Sequence, residues 1–147
     1  MTVKAIPDGY HSVTPYLVVT SCAQFIEFMS AVFDAKLTEQ LMRSDGTIGH
    51  AEIRLGDSVI MLSEASESFA ATPVMLHIYV EDVDRAFERA VRAGATEMAA
   101  PTQQFYGDRS CGVREPGGNT VWIATHIEDV APDELHRRAA QSMKTGT

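Results

Sequence analysis

The residues best placed to do chemistry together sit in one short stretch. His50-Ala-Glu52 sets an imidazole and a carboxylate two residues apart. In an extended strand that spacing puts both on the same face, within reach of a shared proton or ion. Arg54 follows on that face. One reading is a metal-free acid–base pair, His50 and Glu52, acting on a bound carbonyl. A second adds His77, so that two imidazoles and one carboxylate form a facial triad for a divalent metal. A third is a cross-strand polar network of His50, Glu52 and Arg54 that satisfies itself and shapes a pocket. A separate group is flat and apolar. Tyr16, Tyr79, Phe105, Tyr106 and the single tryptophan, Trp122, offer stacking surfaces, and Met75 can repack around an irregular guest. Such a lining suits a planar or heterocyclic ligand, although aromatics and methionine at strand spacing also build ordinary cores. Arg109 or Arg114 could meet a ligand carboxylate or pair with Glu115.

The elements that must hold these residues repeat. Val13–Val19 is a β-branched and aromatic run, followed by Ser21 as a helix N-cap and by Phe25, Ile26, Phe28, Met29 and Phe33 at helical spacing. Val74–Val80 is followed in the same way by Asp82 and by Val83, Ala86, Phe87, Ala90 and Val91, with Arg-Ala-Gly-Ala at 92–95 ending the helix. Further strands follow each helix: 49–55 and 58–63 in the first half, 110–114 and 120–125 in the second. Two more, near 37–42 and 97–100, are assigned because the repeat requires them. The turn segments match when Gly56–Leu62 is laid on Gly118–Ala124. The chain therefore reads as one α+β domain: a βαβββ module over 10–64, a linker over 65–73, a second βαβββ module over 74–127, and a tail with a helix starting at Pro132 over 128–147. Two sheets that each bury one face under a helix leave the other faces to form a cleft. Alternation assigns Met75, His77 and Tyr79 to the cleft side, against Val74, Leu76, Ile78 and Val80 under the helix. It assigns His50, Glu52 and Arg54 likewise, and the repeat adds Thr14, Tyr16, Ile60, Leu62 and Trp122. His11 and His126, near strand ends, read as surface or hydrogen-bonded groups.

Composition excludes some classes of function. The chain has 147 residues, of which 45% are hydrophobic, enough for one core of ordinary size. Twenty acidic against twelve basic residues give a net charge of -8, a field that repels nucleic-acid phosphates and anionic membrane surfaces. The N-terminal stretch has no apolar run of the kind a secretory signal needs, and no segment approaches the ~18 residues of a membrane span, so a cytoplasmic protein is expected. Cys22 and Cys111 lack disulfide or CxxC spacing and read as reduced, inert thiols.

The paired modules resemble the vicinal oxygen chelate superfamily, which includes glyoxalase I, ring-cleaving dioxygenases and bleomycin-resistance binding proteins. Ile6–Val19, His50–Leu62, Phe105–Ser110 and Gly118–Val130 resemble its PhnB-like branch. The resemblance implies the glyoxalase fold, a curved, open eight-stranded sheet around a cleft, and a homodimer. Carried over by position, the superfamily's metal-binding places fall on Thr14, Ile60, Met75 and Trp122. None of these suits a hard or borderline divalent ion. What the resemblance then implies is a metal-independent binding protein of the bleomycin-resistance type with no cofactor, sequestering a planar or aromatic small molecule such as a natural product or antibiotic, with Trp122 as an aromatic wall. The alternative is a lyase or isomerase using His50 and Glu52, with or without a displaced metal that His77 would help to hold. Glu115, Gly117, Cys111 and Val121 depart from the branch pattern, which points to an altered pocket mouth.

Overall fold

The computed structural model describes residues 2–143. In chain order the elements are β1 (Tyr16–Val19), α1 (Cys22–Phe33), β2 (Lys36–Met42), β3 (Ile48–Leu55), β4 (Ser58–Glu64), β5 (Met75–Tyr79), α2 (Val83–Arg92), β6 (Thr96–Gln103), β7 (Asp108–Arg114), β8 (Thr120–His126) and α3 (Pro132–Ser142). The two βαβββ modules are both present. Their eight strands form two four-stranded mixed sheets, ordered β1-β4-β3-β2 and β5-β8-β7-β6. In each, the helix carries the chain from the first strand to a distant one, and the last strand returns to lie parallel beside the first. Residues 144–147 of the expected tail lie outside the described residues.

Local chemistry fixes where the helices begin and end. The Ser21 hydroxyl accepts from the Gln24 amide at 3.2 Å, and the Asp82 carboxylate accepts from the Arg85 amide at 3.1 Å. Each thereby satisfies an amide that the first helical turn leaves without a partner. Helix α1 ends at Asp34 in the left-handed region (φ 57°), with its own N–H bonded back to the last turn. The Asp34 carboxylate in turn receives the Arg89 guanidinium from α2, which also donates to the Ala31 carbonyl. The two modules are joined through these helices and through one apolar cluster that includes Phe25, Met29, Ile53 and Leu62 from the first and Val83, Val113 and Ile123 from the second. Full burial of side chains of this size contributes about 1.5–3 kcal/mol each.

Strand register corrects one part of the face assignment. Ile60 pairs with Ile53 and Leu62 with Ala51, and residues directly opposite one another in a ladder share a face. Ile53, Ala51 and Leu62 are fully buried under α1, and Ile60 is only 5% exposed. Ile60 and Leu62 therefore face the helix, not the cleft. The residue on the outer face is Met61, beside Tyr16 on one flank and Glu52 on the other. The cause is turn length. Leu55 pairs with Ser58 across a two-residue turn, whereas Arg114 pairs with Thr120 across five residues. Aligning Gly56 with Gly118 is thus one residue out, and a one-residue slip reverses every side chain.

Candidate functional site

On the first module, a chain of polar side chains crosses the face away from the helices. The Tyr10 hydroxyl donates to Glu52 Oε1. His50 Nε2 lies 2.7 Å from Glu52 Oε2, and the Tyr16 hydroxyl lies 3.2 Å from His50 Nδ1. Both oxygens of Glu52 are therefore engaged. The hydrogen bond from Tyr10, and then that from His50, hold the Glu52 carboxyl below its usual range, while the same contact raises the Tyr10 phenol. Register explains the assembly: β3 carries His50 and Glu52 on one face, β1 carries Tyr16, and Met61 joins them. The segment before β1 lies over this face. Arg54 donates to the Gly9 carbonyl at 3.1 Å, and a cavity of about 460 Å³ opens between Ile6, Pro7 and Tyr10 above and Thr14, Glu52 and Met61 below.

The second module presents a different face. His77 pairs with Trp122, Met75 with Thr120 and Tyr79 with Ala124, so Met75, His77, Tyr79 and Trp122 lie together on one side of the sheet. Met75 is 67% and Tyr79 59% exposed. The His77 and Tyr79 rings meet edge to face at 5.1 Å. Trp122 stands opposite Gly112, and its ring occupies the space a side chain there would fill. Beneath this surface Asp108, only 2% exposed, accepts from the Tyr79 hydroxyl at 2.7 Å and bonds His126 Nδ1 at 2.8 Å. Asp129 holds His126 Nε2 at 2.7 Å, and these two carboxylates raise the His126 pKa.

The remaining predicted site residues are placed elsewhere. Arg109 makes a two-armed ion pair with Asp84 of α2, both contacts at 2.9 Å, so its guanidinium is committed to the helix side. The Phe105 and Tyr106 rings pack perpendicular at 5.2 Å. Arg138 of α3 donates to the Phe105 carbonyl and to Glu128, fastening the tail helix to that loop. Among the described residues Glu115 pairs with no arginine; its buried carboxylate accepts from the Gly117 and Asn119 amides. Ile60 lines a cavity of about 370 Å³ between the modules, with Leu55, Leu76 and Ile78 and also His77 and Tyr79. Burial pushes the Cys22 and Cys111 thiols up to about 11, consistent with unreactive thiols.

The two outer faces do not share a site within the chain: among the described residues no hydrogen bond or aromatic contact joins them. His50 and Glu52 turn to each other, and His77 lies in the other sheet. No group of three or more His, Cys, Asp or Glu side chains among the described residues is placed to hold a metal ion. The positions that the resemblance assigns to a metal do not fit one. Met61 takes the place given to Ile60, and Thr14, Met61, Met75 and Trp122 supply neither imidazole nor carboxylate.

The sequence of residues 9–123 matches the family model described as the glyoxalase/bleomycin resistance protein/dioxygenase superfamily. The chain belongs to this superfamily. An uncharacterized protein of Mycobacterium bovis, Mb0911c, is 33% identical over 135 residues, covering 84% of this chain and 89% of that one. Two solved structures share the fold. TioX from Micromonospora sp. ML1 is 24% identical, with a TM-score of 0.67 over 80% of this chain and 99% of that one. TnmS3, an antibiotic binding protein from Streptomyces sp. CB03234, is 16% identical, with a TM-score of 0.64 over 84% and 99%. Membership in the superfamily fixes the scaffold; the chemistry has to be argued from the residues on the two faces. No helix among the described residues is long and apolar enough to cross a membrane.

Sequence reasoning missed four residues of these faces. Met61 was hidden by the register slip. Gly112 and Asp108 are legible only once β7 is laid against β8, which sets them opposite Trp122 and His126. Tyr10 lies 42 residues from Glu52 in a segment without secondary structure, and no local pattern announces it.

Proposed function

We propose that this superfamily member is a metal-independent small-molecule-binding protein, of the bleomycin-resistance type and the PhnB-like branch, that sequesters a planar or aromatic compound such as a natural product or antibiotic. The observation that carries the reading is the open surface of Met75, His77, Tyr79 and Trp122, with the indole laid flat over Gly112. An exposed aromatic surface set among polar groups is what a stacking site requires. The donor-poor metal positions support metal independence. The two separate outer faces support a homodimer in which the first module of one copy closes over the second module of its partner; its expected location is the cytoplasm.

Trp122 is the single tryptophan, so its fluorescence reports on the site directly. Titration with a panel of planar aromatic compounds is expected to quench it saturably. Trp122→Ala is expected to weaken binding about tenfold, equivalent to ~1.4 kcal/mol. Unchanged affinity for every compound that binds would remove the stacking role. Elemental analysis of protein purified without a histidine tag is expected to find no stoichiometric metal, and sedimentation to find a dimer. A second reading, a lyase or isomerase, is favoured by the 2.7 Å contact of His50 with Glu52; it requires that Glu52→Gln lose turnover while keeping fold and binding.

A further inference from the structure

The polar chain on the first module has a direction. Both oxygens of Glu52 are engaged, one by Tyr10 and the other by His50. Because a carboxylate only accepts, His50 Nε2 must carry a hydrogen, and the neutral ring then has a bare lone pair on Nδ1. That lone pair faces the Tyr16 hydroxyl at 3.2 Å. Tyr16 is 51% exposed at the start of β1, next to Met61. Tyr16, His50 and Glu52 are thus arranged as an outer hydroxyl, a base and a group that orients the base, the order of parts in an activated triad. Arg54, next on the face, is turned to the Gly9 carbonyl.

We infer that Tyr16, His50 and Glu52 form a proton-accepting recognition site for a planar guest bearing an acidic hydroxyl, a phenol or an enol. The guest sits against Tyr16 and Met61 beside the cavity under residues 6–10. Its hydroxyl hydrogen passes to the Tyr16 oxygen as the Tyr16 hydrogen passes to His50 Nδ1. When Tyr16 then donates back to the guest, the guest oxygen carries the negative charge, His50 carries hydrogens on both nitrogens, and Glu52 stays ionised. One hydrogen has left the guest and one has been gained by the imidazole, so the count balances with no further reactant. This inference rests on the reading of the protein as a binder of planar guests and adds what such a guest must carry.

The test uses 4-nitrophenol, whose phenolate absorbs where the neutral form does not, and its methyl ether, 4-nitroanisole, which has no hydrogen to give. Equilibrium dialysis and difference absorbance are run at a pH where free 4-nitrophenol is mostly neutral. The expected result is that bound 4-nitrophenol shows the phenolate band and binds at least tenfold more tightly than the ether. Tyr16→Phe and His50→Gln, each confirmed folded by its melting curve, are expected to abolish the band and equalise the two affinities. Equal binding of phenol and ether by the unaltered protein overturns the proton-accepting site and leaves the aromatic-binding reading standing. Bound phenol that stays neutral, or a phenolate band that survives in Tyr16→Phe, overturns it equally. If neither compound binds, the reading on which the inference rests fails and the inference falls with it.

Discussion

Trp122 and Gly112 stand directly opposite each other in the β7–β8 ladder, and a Cβ on Gly112 would come within 2.7 Å of the indole ring. The ring can lie flat on the sheet only because that position has no side chain. Gly112→Ala is therefore expected to lift or tilt the indole. Relief of the clash leaves a cost of about 1–3 kcal/mol, in the range of small-to-large changes at packed sites. Denaturant unfolding should register the loss, and the Trp122 emission spectrum should shift toward that of a more exposed indole. An unchanged spectrum and midpoint would mean that the indole does not rest there.

Glu115 and Gly117 depend on each other in the same way. The buried Glu115 carboxylate accepts from the Gly117 amide at 2.8 Å, and from the Asn119 amide and side chain at 2.9 and 2.8 Å. A Cβ on Gly117 would meet Glu115 Oε1 at 2.8 Å. The two residues are thus one structural choice: the Glu115 carboxylate reaches under the turn and the glycine makes room for it. Gly117→Phe is expected to destabilise by roughly 1–3 kcal/mol on its own. Combined with Glu115→Asp it is expected to cost less than the sum of the two single changes, and a double-mutant cycle of unfolding free energies measures the difference. Strict additivity would contradict the coupling.

These two pairs mark where the sequence is legible and where it is not. The modules, their helices and both N-caps, Ser21 and Asp82, follow from period and capping chemistry, which are local. The second outer face was readable for the same reason, since alternation in β5 alone sorts Met75, His77 and Tyr79 from Leu76 and Ile78. The first face was readable in β3 and misread in β4. Hairpin loop length sets register, and Gly56-Asp57 closes a two-residue turn whereas residues 115–119 make a longer one held by Glu115. Nothing in the composition of β4 separates Ile60 from Met61, because both are apolar and the strand is buried at most of its positions. Tyr10 and Asp108 were illegible for another reason. Their partners are set by tertiary placement, and a tyrosine in a loop or an aspartate after a glycine reads first as surface or turn.

The thiols provide a check on the core. Cys22 and Cys111 are free and fully buried, and burial raises both to about 11. At pH 8 almost no thiolate is present, and the reagent has no path to it. A colorimetric thiol reagent is expected to label neither cysteine in the folded protein and both after denaturation. Prompt labelling of either one under native conditions would show that its module opens locally far below the global unfolding free energy.

His126 gives the pH dependence a sign. Its ring is held between Asp108 and Asp129, which raise its pKa from the ordinary 6.5, Asp108 contributing most. A histidine whose folded value lies above its unfolded one binds a proton more tightly when folded. Its stabilising contribution is therefore present in full below about 6.5 and is lost as pH rises through the raised value. His126→Gln removes the titration while leaving a side chain able to hydrogen-bond Asp108. Melting temperatures across this range are expected to show the unaltered protein ahead of His126→Gln in mild acid, with the gap shrinking as the medium becomes alkaline. The ring is half-exposed, so the effect is small and weakened by added salt. A gap that widened with rising pH would have the wrong sign and would place the stabilising charge elsewhere.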